Sequence, residues 1–463
     1  MSSGFGIGRQ AAACLPVPRL CPGIAQRVAI EDRPHVLVGP RRKRVVGSNA
    51  GRKAHVRGSG MRFGGTVVVV LLAPCFAACG SSEGADTTAT RTFANRIGPS
   101  IEQWRHSFTA TMTLVLPGTT LGAVKGNGVV VAVGNGEAVL GSTPMDADAV
   151  LHVGSITKLF TAALILRLDQ EGKLSLDDSI EKWFPSAPQA DRVRVRMLVE
   201  HTSGLPDLDP TLVGALSTDE VILNALREGA REDPGSVFRY NNLGYLMLGV
   251  ISERVGGSSW PDQLKAAFFD PLGLKKTYVF GHQQGPPAIA GYDLACAEGT
   301  ANSCIGKSST VLPVSDSPQW KGAWSAGGIA SSARDITTWV RALVGGSVLD
   351  DARRTMMRTL TPQSSSYYVR AYEEAGETQF ALGEGTGLQG YRVPGAGDCW
   401  GHAGSIPGSN GFTAFCPDLD LAITVLNNVN PAGDNPIAPG LLALAIPVDR
   451  ALAAVQGSRP QRR

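Results

Sequence analysis

The sequence predicts an α+β fold in which an antiparallel sheet is flanked by helices and interrupted by an inserted, mainly helical subdomain. Two observations predict it. Strand-like segments gather near both ends of the folded part, while the middle reads mostly as helix with long connections. Between the first strands and the middle lies a run with Leu159, Phe160, Ala162, Ala163, Leu164, Ile165, Leu166 and Leu168, apolar on nearly every face. A helix of that kind is buried on all sides, so other layers must enclose it.

The elements follow in order. Residues 1–60 hold 11 Lys/Arg against 2 Asp/Glu and read as an untranslated or disordered leader, with translation expected to begin at Met61. Residues 61–78 read as a secretion signal: Arg62, then an apolar run from Val67, then Ala77 and Ala78 before a cysteine. The run is too short for a stable membrane span. Phe76-Ala-Ala-Cys79 resembles a bacterial lipobox, with Phe76 where Leu is usual. That resemblance makes Cys79 the lipidated first residue of a protein held on the outer face of the cell membrane, touching the membrane only through its anchor. Cleavage without lipidation is the competing reading.

A flexible tether is expected over 79–94, then one folded domain over 95–450. Its α/β parts are 95–170 and 320–450, its helical part is 171–319, and 451–463 form a disordered tail. Within it the patterns predict a helix over 97–108, a strand over 110–116 and a hairpin over 126–140 turning at Asn135-Gly136. A phosphate loop is excluded there, because G-x-x-x-x-G-K-[ST] is absent and no helix follows. Gly172 is positioned to stop the apolar helix. Residues 281–320, rich in Gly, Pro and Ser, read as an irregular flap. Near residue 330 a strand leads into a helix capped by Ser331 or Ser332, with Asp335 in its first turn. Strands are expected over 397–402, 411–416 and 419–426, and a helix near 436–445.

Composition bounds the function. The 463 residues are 43% apolar and 18% charged, ordinary for a globular enzyme with a large core. The formal charge of +3 conceals an uneven distribution, since the leader and Arg62 carry the excess and leave residues 79–463 at −7. No basic stripe argues for nucleic acid. Cys296, Cys304, Cys399 and Cys416 remain after the leader and signal, an even number in an exported chain, so disulfides are the default. Cys399 and Cys416 flank a turn-rich stretch symmetrically, and Cys296 with Cys304 would close a small loop. No C-x-x-C or H-E-x-x-H spacing supports a metal site, and no cofactor is implied.

The chemistry centres on Ser155-Ile-Thr-Lys158 at the start of the apolar helix. Positions three apart share a helix face, which puts the Lys158 amine one turn from the Ser155 hydroxyl. Serine is a poor nucleophile unless a base takes its proton, and a neutral lysine can be that base. The Ser155 backbone N–H, at the helix start, can face a developing oxyanion. Two further clusters follow, Tyr240-Asn-Asn242 and His402-Ala-Gly404.

The order S-x-x-K, Y-x-N, H-x-G resembles the serine β-lactamase and penicillin-binding-protein superfamily, specifically its class C β-lactamase, D-alanyl-D-alanine carboxypeptidase and esterase branch. Gly172-Lys-Leu-Ser-Leu-Asp-Asp178, Leu198-Val-Glu-His-Thr-Ser-Gly-Leu-Pro206, Asp270-Pro-Leu-Gly-Leu274 and Ala326-Gly-Gly328 match the same pattern. The resemblance implies that Ser155 is the nucleophile, Lys158 its proton partner and Tyr240 a second base, whose pKa desolvation and the Lys158 charge would have to lower. It implies that Asn242, rather than Asn241, holds Lys158 and the substrate amide. His402 is expected to line the cleft. Gly404 and Ser405 follow it, and the Ser405 N–H is expected to complete an oxyanion hole with that of Ser155. His152 and His201 read as packing or turn residues.

One departure bears on the substrate. Many relatives carry a hydroxyl in the middle of the third motif to bind a substrate carboxylate, and Ala403 offers none. A lost charge-assisted bond costs about 1.5–3 kcal/mol. The expected activity is therefore an exported DD-peptidase or esterase forming a Ser155 acyl-enzyme, with a peptidoglycan stem peptide, a β-lactam or an ester as its partner. A strict β-lactamase and a slow or non-catalytic penicillin-binding lipoprotein are the alternatives. Oligomeric state is left open.

Overall fold

The computed structural model describes residues 83–112, 116–295, 310–375, 381–430 and 444–457. The leader, the signal, Cys79, Cys296, Cys304 and most of the helix expected near 436–445 lie outside them.

An eight-stranded antiparallel sheet forms the scaffold, built from β1 (Gly118–Lys125), β2 (Val131–Val139), β3 (Thr143–Pro144), β4 (Ala381–Glu384), β5 (Gln389–Val393), β6 (Gly397–Ile406), β7 (Ser409–Cys416) and β8 (Leu421–Asn427). Its spatial order is β3-β2-β1-β8-β7-β6-β5-β4, so the two ends of the folded chain meet where β1 pairs with β8, Leu121 opposite Val425. Side-chain alternation sorts β8 between two cores. Leu421, Ile423 and Val425 face one, while Ala422 and Leu426 face the other.

Helix α1 (Glu83–Met112) and the last helix, Ala445–Gly457, pack on the first face. Helix α1 occupies part of the stretch expected as tether, and it continues through Met112 into the stretch expected as a strand. Its residues Phe93, Ile97, Ile101 and Trp104, spaced four, four and three apart, form a buried stripe. Docking that stripe on the sheet outweighs the modest helix propensity of the Thr-rich segment before it. The expected disordered tail is likewise helical through Gly457, because Val448, Leu452 and Val455 bury one face.

The hairpin also differs from expectation. Asn135 and Gly136 sit inside the ladder opposite Thr119 and Gly118, and the chain turns at 126–130, where Gly126 has φ +57°. Register here follows burial of Val131 and Val133 on the core side, which outweighs the local turn preference of Asn-Gly.

On the second face lie α2 (Thr157–Gln170), α3 (Asn242–Gly256) and α4 (Ala333–Gly345). Helix α2 is buried all round, and Gly172 just beyond it takes φ +68°. Helix α4 is capped by the Ser332 side chain, which accepts from the Asp335 N–H at 3.2 Å. Between α2 and α4 run short helices joined by turns, including Val195–Val199 and Thr218–Leu226. The stretch expected as a flap contains two paired strands, Gly291–Ala295 and Thr310–Val314, with Val429–Asn430 beside the first.

Candidate active site

Strand Val150–His152 pairs with Ile329–Ser332 and hands over to a 3₁₀ turn, Gly154–Ile156, which runs into α2. Ser155 sits in that turn, partly accessible, while Lys158 is fully buried in the first turn of α2. On the sheet side, β6 lies directly against the turn: a β-carbon on Gly404 would meet the Val153 carbonyl oxygen at 2.0 Å. That approach brings Ser405 against Gly154, the residue before Ser155. Cys399 and Cys416 are joined in a disulfide between β6 and β7.

Lys158 Nζ donates to Ser155 Oγ at 3.0 Å, to Asn242 Oδ1 at 2.8 Å and to the Ala326 carbonyl at 2.8 Å. It lies 4.9 Å from the centre of the Tyr240 ring. Burial lowers its pKa to about 7, against opposing pulls from the Asp207 and Glu384 carboxylates. Near neutral pH a large share of the amine is therefore unprotonated and able to accept the Ser155 proton.

Tyr240 is partly buried and in hydrogen-bond contact with Ser155. Its pKa is pushed well above the ordinary value, first by desolvation and then by Glu384 and Asp207. This corrects the expectation of a lowered value. Burial penalises the charged form of a phenol, so it cannot create a phenolate. Tyr240 is a neutral hydroxyl, able to hand on a proton but not to act as the resting base.

The Tyr-Asn-Asn segment divides its labour. Asn241 is the N-cap of α3, its Oδ1 accepting from the Gly244 N–H at 2.6 Å. Its Nδ2 donates to the Pro206 carbonyl at 2.8 Å. Asn242 is left to hold Lys158. Asp207, which no sequence pattern singled out, accepts from the backbone N–H groups of Asn242 at 2.8 Å and Leu243 at 3.1 Å. A carboxylate there suits the positive end of α3 and fixes the Asn242 side chain beside Lys158.

His402 departs from expectation. It is 2% exposed, so it does not line an open cleft; its ring packs 6.3 Å from that of Tyr240 and its Nδ1 contacts the Ala403 carbonyl. Burial lowers its pKa to about 3, which keeps it neutral. His152 is a packing residue stacked on Trp320, with ring centres 4.1 Å apart. Sequence reasoning missed Glu384 on β4, which is buried and lies 3.6 Å from His201. Nothing in its neighbourhood signals it, because a lone glutamate in a Gly-rich segment is usually exposed. Among the described residues no cluster of His, Cys, Asp or Glu could hold a metal.

A family model described as Beta-lactamase matches residues 104–446. A penicillin-binding protein of Bacillus subtilis (strain 168) is 31% identical over 157 residues, covering 32% of this chain and 35% of that protein. Penicillin-binding protein 4 of Amycolatopsis lactamdurans is 25% identical over 294 residues, covering 61% and 72%. The chain thus spans only about a third of the length of the first of these relatives. Among solved structures, D-amino acid amidase from Ochrobactrum anthropi SV3, complexed with L-phenylalanine amide, is similar with TM-score 0.60 and 26% identity, covering 81% of this chain and 100% of that one.

Proposed function

Because this chain belongs to the Beta-lactamase family of serine hydrolases, we propose that it cleaves amide or ester bonds through an acyl-enzyme on Ser155. The observation that carries this reading is the 3.0 Å contact between Lys158 Nζ and Ser155 Oγ, made by an amine whose pKa burial lowers to about 7. Lys158 takes the hydroxyl proton as Ser155 Oγ bonds to the carbonyl carbon. The oxyanion faces the N–H groups of Ser155 and Ser405. The tetrahedral carbon then expels an amine or alcohol, which takes its proton from Tyr240 while Lys158 returns one to the phenol. Water releases the acyl group by the same proton path.

The substrate we favour is a peptide, amino-acid amide or ester, in the manner of a DD-peptidase or esterase, rather than a β-lactam turned over rapidly. Two observations support this. Ala403 supplies no hydroxyl for a substrate carboxylate, and a similar solved structure is a D-amino acid amidase holding an amino-acid amide. The sequence of residues 61–79 supports export and attachment at the outer face of a bacterial membrane through Cys79.

The test is time-resolved intact-mass spectrometry with a fluorophosphonate, a penicillin, a p-nitrophenyl ester and a D-Ala-D-Ala peptide. A lasting penicillin adduct on Ser155 with turnover of ester or peptide supports the reading. A transient adduct with rapid penicillin loss favours a β-lactamase, and no adduct on folded protein favours a binding lipoprotein.

A further inference from the structure

Behind Tyr240 lies a pair of groups that the reaction described above does not use. His201 is fully buried, yet its backbone takes φ +57°, a conformation a non-glycine residue adopts at some cost. Its ring stacks on Tyr240 with centres 4.4 Å apart and on Tyr245 at 5.1 Å. Nδ1 accepts from the Asn241 N–H at 3.0 Å, which places the proton of the neutral ring on Nε2. That Nε2 has no hydrogen-bond partner and faces Glu384 Oε2 at 3.6 Å.

Glu384 is itself held from two other sides. Its Oε1 accepts from Gln389 Nε2 at 2.7 Å and from the Tyr368 hydroxyl at 3.3 Å. The same Gln389 accepts from the Ala403 N–H at 3.2 Å through Oε1, so the carboxylate is tied to the third motif, while toward the Tyr240 ring it faces the neutral His201 without a hydrogen bond. A carboxylate without a cationic partner in hydrogen-bond reach is costly to bury, and packing alone does not require one here.

We infer that Glu384 is a positioning residue for acylation of Ser155: through His201 and Gln389 it seats Tyr240 and the third-motif strand, and its carboxyl group acts on Lys158 through space. The inference rests on the hydrolase reading above. Glu384 and Asp207 both stabilise the ammonium of Lys158, while desolvation opposes them. Around Glu384, Tyr240 and Tyr245 come from α3 and its approach, and Tyr368 from the helix Pro362–Ala375. His402 on β6 is neutral, Tyr391 lies on β5, and Glu200 adds a further carboxyl near Tyr245. Among the described residues, Lys158 is thus the cation that acts on Glu384 by charge. Burial pushes Glu384 up to about 7, the value to which Lys158 falls.

The test is the pH dependence of Ser155 labelling by a fluorophosphonate and of p-nitrophenyl ester hydrolysis, on the full chain. Removing the negative charge in Glu384→Gln lets Lys158 lose its proton more easily, so the acid limb should move to lower pH. Glu384→Asp should return it toward the wild-type position. Tyr368→Phe removes a bond that favours the carboxylate, so it should move the limb in the same direction by less. It carries the test if Glu384→Gln lacks a melting transition. A lower rate with an unmoved acid limb in the folded variants overturns the inference and leaves Glu384 a packing residue. Wild-type protein that takes no label refutes the hydrolase reading instead.

Discussion

Gly154 and Ser405 touch so closely that a β-carbon on the glycine would lie 2.7 Å from both the backbone nitrogen and the carbonyl oxygen of Ser405. Gly154 also takes φ +52°, a region that L side chains rarely adopt. Only glycine meets both conditions, and the contact presses the nucleophile turn onto the strand that carries the proposed oxyanion donor. Gly154→Ala should therefore separate Ser155 from Ser405. It should cost about 1–3 kcal/mol of stability and slow fluorophosphonate labelling out of proportion to that loss. Thermal melting beside the labelling rate checks it, and unchanged labelling would deny that this contact sets the site.

Ser155→Ala should abolish covalent labelling by every reagent. Lys158→Ala should leave the fold intact and slow labelling by roughly 10²–10⁴-fold, the usual contribution of a placed general base. Adducts that survive Ser155→Ala, mapped by peptide mass spectrometry, would identify another nucleophile.

The sheet, the buried helix α2 and the serine–lysine pair were legible because each rests on a local pattern: alternation, an apolar run, a spacing of three. The turn at Asn135-Gly136 misled because the register of β2 is fixed by burial across β1, which no short window contains. The tether and tail were misread for the same reason, since Phe93 and Leu452 become core residues only against a sheet assembled from distant segments. Asp207 and Glu384 escaped because a carboxylate's role depends on what tertiary structure brings to it. The sign of the Tyr240 shift was misjudged by treating burial as if it favoured a phenolate.

Asn241 and Asn242 are neighbours in sequence with opposite duties, which paired substitutions should separate. Asn241→Ala removes the N-cap of α3 and its bonds to the 205–206 backbone, so it should lower stability by about 1 kcal/mol or more. Asn242→Ala removes the 2.8 Å bond to Lys158 and should reduce turnover with a smaller stability change. Equal effects of both on melting and on kcat would contradict this division.

The bond between Cys399 and Cys416 closes a separation of 17 residues and pins β6 to β7 on the strand that leads to Ser405. Replacing both cysteines by serine should destabilise the protein by about 3 kcal/mol on the chain-entropy account. Denaturant unfolding with and without a reductant measures it, and indifference to reductant in the wild type would count against the pairing.

The pH profile distinguishes the two proton routes open to such a site. If neutral Lys158 is the base, kcat/KM must rise as pH passes upward through about 7, because the ammonium present below that value cannot accept the Ser155 proton. Tyr240, held well above its ordinary pKa, stays protonated, so the rate should then remain level through pH 9. A phenolate base beside a charged Lys158 demands the reverse: the rate would fall as Lys158 loses its proton above about 7. Measuring ester hydrolysis between pH 5 and 10 reads the sign directly. A profile that declines above neutrality, with the protein still folded, would reverse the roles assigned to Lys158 and Tyr240.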